Sequence, residues 1–329
     1  HMLYNMCQSK EVKGTMAGNM GIPFSERVLN NIKDPKENIL YLLEISSFQL
    51  EFIQHFSPDI LVYTNISPDH LDRHGSMEEY INMKLNALMN MKHEGQIVYN
   101  KDDTILEEVL SPFPHKKQPF STKSKDVLYK IENKNIIGPS DDKLLNIDEL
   151  SIPGEHNLQN FLAASTCSHL MGISQNQIVK SMKEFKGVEH RLEYVRTINE
   201  TDYINDSKAT NIDSVIVAIN TYKQPIVLIL GGFNKGANFR LLLPHIKSSH
   251  VRDIVSYGDA GGQINTALGD AVRSVQVTDL SSAVKKAQLM AAPGDIVLLS
   301  PGCASYDEFS NFEERGNHFK SIIKNIAIS

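Results

Sequence analysis

From residue 192 onward, short apolar runs and helix-patterned segments take strict turns. The runs fall at 192–198, 202–204, 225–230, 253–257, 274–277 and 295–300, and helical spacing fills 211–221, 237–247, 261–268, 280–291 and 310–326. Strands as continuously apolar as 226–230 belong in a sheet covered on both faces, which is the habit of parallel sheets with crossover helices. The expected fold is α/β: a doubly wound, mostly parallel, Rossmann-like domain, entered through a two-residue turn at Asn199-Glu200.

The first half alternates less regularly. Strands are expected at 13–17, 39–43, 60–64 and 96–99, with a helix over 77–91. Shorter runs at 127–131, 135–137 and 144–150 suggest a small antiparallel portion, and a helix over 157–171 is expected with Asn157 as its cap. The polar stretch 112–125 predicts a surface loop. A boundary near Gly187 divides the chain into 1–188 and 189–329. The helical remnant at 3–9 gives the first domain an abrupt opening, which suggests an incomplete start.

Composition narrows the function classes. Lysine and arginine number 33 against 39 acidic residues, a formal charge of −6, so binding to nucleic acid by overall basicity is disfavoured. Three cysteines far apart (Cys7, Cys167, Cys303) give neither a disulfide framework nor a zinc spacing and point to a reducing cytoplasm. No apolar run approaches membrane-spanning length.

The chemistry-bearing residues cluster after strands. Glu44 closes an apolar run, where α/β sheets place ligands and where Mg²⁺ would find a hard oxygen donor; a solvated strand-end glutamate competes equally. His70 lies in a loop rich in Asn, Ser, Pro and Asp, a composition that turns have anyway. Lys84 borders the apolar face made by Ile81, Leu85 and Leu88, and spacing alone favours a snorkelling lysine. Asn157 and Asn160 share one helix face. Asp206, Lys208 and Thr210 crowd a single strand-to-helix loop, which favours carboxylate or phosphate binding. Gly231-Gly232 precedes Lys235 but forms neither a dinucleotide fingerprint nor a phosphate loop. Ser305 and its neighbouring amides suit a carboxylate, while Cys303 lacks a nearby histidine and reads as packing.

Read together, the strings AGNMGIPFSE (17–26), LLEISSFQLE (42–51), NISPDHLDRHGS (65–76), GEHNLQN (154–160), EHRLE (189–193), INDSKATN (204–211), LGGFNKGANF (230–239) and SPGCASYDEFSNFEERGNHF (300–319) resemble the Mur ligase family, in its D-glutamate-adding branch. The resemblance implies a central ATPase-type domain followed by the Rossmann-like one. It implies ATP and Mg²⁺, and UDP-N-acetylmuramoyl-L-alanine and D-glutamate as substrates of a cytoplasmic, monomeric enzyme. It assigns Glu44, His70 and Lys84, the last as a carbamate, to the metal and catalytic site. Asn19, Asn157, Asn160, Arg191 and Asp206 are assigned to ATP, and Lys208, Thr210, Lys235, Ser305 and Phe312 to D-glutamate. Two departures stand out. The family's glycine-lysine phosphate loop and its amino-terminal domain are not among these residues, so this chain is expected to be inactive alone. Phe233 also replaces a residue that is often polar. A non-catalytic half of a split ligase and a folate-polyglutamylating ligase are the competing expectations.

Overall fold

The computed structural model describes residues 1–326 apart from 9–11, 20–21, 36–38, 69 and 153. The chain divides into two compact units, His1–Lys186 and Gly187–Ser329.

In the first unit, β1 (Lys13–Gly18) pairs in parallel with β2 (Ile39–Glu44). A second parallel sheet joins β3 (Ile60–Tyr63), β4 (Gln96–Asn100) and β5 (Lys116–Phe120). Its core gathers Tyr63, Tyr80, Leu88, Ile97, Tyr99, Leu106 and Leu110. Strand β5 overturns the expected 112–125 loop. Its Lys-Lys-Gln-Pro-Phe composition hides it, but at the sheet edge a proline costs no ladder bond that the strand needs. An antiparallel meander follows in β6 (Lys130–Glu132), β7 (Asn135–Ile137) and β8 (Lys143–Asn146). Asn133 and Lys134 turn the first hairpin, both at positive φ (49° and 61°), as a two-residue turn matching strand twist demands. The strand expected to reach Leu150 stops at Asn146, whose side chain caps a 3₁₀ turn over Ile147–Glu149.

The Glu155–Leu170 helix runs through this unit with every residue from Phe161 to Ser168 buried. Its cap is Gly154 at φ 102°, not Asn157, which lies in the first turn. The helix at Met77–Leu85 continues as a 3₁₀ turn over Asn86–Leu88.

The second unit is one six-stranded sheet built from β9 (Glu193–Ile198), β10 (Thr201–Asn205), β11 (Ile226–Gly231), β12 (Val251–Tyr257), β13 (Arg273–Gln276) and β14 (Ile296–Leu299), in the order β13-β12-β11-β14-β10-β9. All neighbours are parallel except the β9–β10 hairpin. Successive residues of β11 enter opposite cores. Ile226, Leu228 and Leu230 join the layer of the Ile212–Thr221 and Gly261–Leu268 helices, and Val227 and Ile229 join that of the Leu280–Met290 and Phe312–Asn325 helices. The expected helix over 237–247 is instead a 3₁₀ turn, Phe239–Leu242, running into a short helix, Leu243–Ser248.

Strand β14 is the last made but lies between β11 and β10. The helices following β10 and β11 cover one face, and the helix following β14 covers the other. The chain therefore parts at the carboxyl end of β14, the switch point where open α/β sheets leave a crevice.

Candidate active site

In the first unit, Gly18 and Asn19 meet Glu44 at the carboxyl ends of β1 and β2. Gly18 holds φ 107°, and a Cβ there would stand 2.2 Å from the Glu44 carbonyl oxygen. The Asn19 amide donates to that oxygen (2.7 Å), and Asn19 Nδ2 donates to Glu44 Oε1 (3.2 Å). Glu44 is otherwise solvent-facing.

A run of ring contacts links His70 to Lys84 through Phe48, His74 and Tyr80. His70, left-handed at φ 54°, lies 4.8 Å from the Phe48 ring. Phe48 stacks on His74 (5.4 Å), and His74 meets Tyr80 (5.4 Å). Lys84 Nζ lies 4.9 Å from the Tyr80 ring centroid. His74 is buried and bonded through Nε2 to Ser47 Oγ (3.0 Å), three residues beyond Glu44. Sequence reasoning passed over His74, which holds the two segments together. Asn157 and Asn160 are both half-buried near the start of the Glu155–Leu170 helix.

This donor set is thin for a metal held by protein alone. Among the described residues no group of three or more His, Cys, Asp or Glu side chains could hold an ion. One strand-end carboxylate does fit Mg²⁺, which keeps most of its waters and is carried largely by substrate phosphates.

In the second unit the carboxylate-binding candidates gather at the switch point. Asp206 follows β10, 4% exposed, accepting from Ser300 Oγ (2.8 Å) and the Leu192 amide (3.2 Å). Burial pushes its carboxyl up to about 7, against the pull of those bonds and of Arg191 and Arg315. Arg191 itself is exposed. Lys208 Nζ lies 5.9 Å from the Phe312 ring centroid, and Lys235 Nζ lies 5.2 Å from that of Tyr306. Thr210 is exposed and Ser305 is buried. The loops after β11 and β14 are stitched by Phe233 and Ala304, each amide donating to the other's carbonyl (2.9 and 3.0 Å). That approach needs Gly232, since a Cβ there would stand 2.3 Å from the Ala304 oxygen. Cys303 is packed in the core and its thiol is raised by burial to about 12, which removes it as a nucleophile.

Sequence reasoning missed two buried polar residues here. His190 (φ 65°) accepts at Nδ1 from Asn205 Nδ2 (3.0 Å), which leaves its proton on Nε2; burial lowers its pKa. Arg315 is fully buried. Phe312, Arg315, Phe319 and Ile323 share helical spacing, so the periodicity put Arg315 on the core face.

A shallow concavity of about 600 Å³ beside the ends of β12 and β13 is lined by Asp259, Asp307 and Glu308. Three carboxylates there repel an acidic ligand.

Residues 1–168 match the Mur ligase middle domain, and residues 190–303 match the Mur ligase glutamate ligase domain. A UDP-N-acetylmuramoylalanine--D-glutamate ligase of Clostridioides difficile is 41% identical over 316 residues, covering 94% of this chain and 69% of that protein. The enzyme of the same name from Alkaliphilus metalliredigens is 39% identical, over 95% of this chain and 69% of that one. In fold, the chain is similar to the MurF ligase of Thermotoga maritima in complex with ADP (TM-score 0.71, 16% identity, 99% of this chain and 77% of that one). It is also similar to the UDP-N-acetylmuramate-alanine ligase MurC of the same organism (TM-score 0.63, 18% identity, 96% and 76%). The chain belongs to the Mur ligase family, whose members are ATP-dependent ligases.

Proposed function

We propose that this chain serves the ATP-dependent joining of D-glutamate to UDP-N-acetylmuramoyl-L-alanine in peptidoglycan precursor synthesis. The observation that carries the reading is Lys208 set beside the Phe312 ring at the switch point of the second unit, with Ser305 on the loop that Arg315 ties to Ser207, in a chain 41% identical to a D-glutamate ligase.

In this reading ATP phosphorylates the alanyl carboxylate, and the amine of D-glutamate attacks the acyl phosphate. A C–N bond forms, the C–O bond to phosphate breaks, and the ammonium group sheds its protons. Mg²⁺, when bound, neutralises charge on the phosphoryl group. Glu44, oriented by Asn19, would offer that ion an oxygen, and His70 and Lys84 are the other residues that would hold it. Lys84 as a carbamate would exchange its contact with the Tyr80 ring for a negative group. Asn157 and Asn160 are the nucleotide-binding candidates of the first unit, and Arg191 and Asp206 those of the second. Lys208 and Lys235 supply positive charge for the two carboxylates of D-glutamate, with Thr210 and Ser305 as hydrogen-bond partners and Phe312 as an apolar wall.

The test is an NMR titration of the 329-residue chain with D-glutamate and, separately, L-glutamate. Amide shifts at Lys208 and Ser305 with the D isomer alone are expected, and Lys208→Ala weakens that binding by about tenfold or more. Equal response to both isomers, or none at these residues, overturns the reading.

A further inference from the structure

Among the described residues, Arg315 is the largest side chain wholly withdrawn from solvent. Its guanidinium donates through Nε to Ser207 Oγ (2.9 Å), through Nη2 to the carbonyls of Ser207 (2.8 Å) and Cys303 (3.0 Å), and through Nη1 to the Ala304 carbonyl (3.1 Å). All four acceptors are uncharged. Burying a cation against neutral groups is costly, and an apolar side chain would fill the same volume more cheaply. What the planar fork adds is geometry, because it fixes several acceptors at once.

Those acceptors belong to two segments nearly a hundred residues apart. Ser207 lies in the loop after β10 that carries Lys208 and Thr210, and Cys303 and Ala304 precede Ser305 in the loop after β14. Ser207 Oγ donates in turn to the Phe312 carbonyl (2.8 Å), so the first residue of the Phe312–Asn325 helix joins the same clamp. The backbone is shaped around it: a Cβ at Gly232 would stand 3.0 Å from Nη1.

We infer that Arg315 is a positioning residue for the acidic amino acid: its fork locks the Lys208 loop to the Ser305 loop so that the two present one carboxylate cradle. The inference rests on the D-glutamate reading for the identity of the ligand, but the clamp itself is a property of the free protein.

The test therefore has a ligand-free arm and a ligand arm, both on the full 329-residue chain. Arg315→Lys keeps the charge and removes the fork; Ser207→Ala removes one acceptor and leaves the arginine buried, which guards against simple failure to fold. Without ligand, amide exchange at Lys208, Ala209, Gly302 and Ala304 is expected to quicken together, by about tenfold in Ser207→Ala, with the amides of β11 unchanged. D-glutamate affinity is expected to fall by about tenfold in the same variant and further in Arg315→Lys. Faster exchange confined to Lys208 and Ala209 overturns the inference, as does a rise spread evenly over the unit. Unchanged affinity in both variants, beside a wild type that binds D-glutamate, also overturns it. Coupled exchange in a wild type that binds no D-glutamate upholds the clamp and sinks the ligand reading instead.

Discussion

Asp206 shows how one residue ties the site to stability. Burial raises its carboxyl to about 7 from the ordinary 3.8, although Ser300 Oγ and the Leu192 amide both favour the ionised form. A group that holds its proton more tightly when folded contributes its stability fully below the unfolded value, and loses it as pH rises through the folded one. The stability of Asp206→Asn relative to wild type is therefore expected to improve by about 1–2 kcal/mol between pH 5 and pH 8, read from urea midpoints at the two pH values. A difference that does not change with pH would mean that the carboxylate is already ionised in the fold. The string Asn205-Asp206-Ser207-Lys208 was legible as polar chemistry at a strand end. That Asp206 and Ser207 would be buried was not, because their partners Ser300, Leu192 and Arg315 are distant in the chain or become relevant only once the sheet has formed.

At the scale of elements, the close approach of β1 to β2 depends on a missing side chain. Gly18 holds φ 107° and leaves no room for a Cβ against the Glu44 carbonyl, whereas Gly172, at φ 75°, has nothing within 4 Å of its own. Gly18→Ala is expected to destabilise the first unit by about 2–3 kcal/mol, and Gly172→Ala by about 1 kcal/mol, because only the first adds a backbone clash to the strained dihedral. Denaturation of the two variants side by side decides this; equal losses would show that conformation alone sets the cost. Most strands could be read from β-branched runs and their turns. β5 could not, since its lysines, glutamine and proline carry no period, and its place beside β4 is a tertiary fact.

At the scale of the whole chain, each unit carries its own buried cores, so each is expected to unfold in its own transition. In scanning calorimetry, D-glutamate at about a hundred times its dissociation constant should stabilise the 187–329 transition by about 2.7 kcal/mol and leave the other in place. A shift of the 1–186 transition instead would move the amino-acid site out of the second unit. No helix among the described residues is long and apolar enough to cross a membrane.

Local periodicity and turn chemistry are properties of near neighbours, so the alternation of strands and helices, the hairpin at Asn199-Glu200 and the polar strings at strand ends could all be read from residue order. The order β13-β12-β11-β14-β10-β9 could not, because it is chosen by which apolar faces bury one another over long separations. Inserting β14 between β11 and β10 is what brings Ser207 and Ala304 within reach of one guanidinium. Helical spacing alone set Arg315 on the core face of its helix, but only the folded packing supplied the acceptors from two distant loops that make burying its charge tolerable.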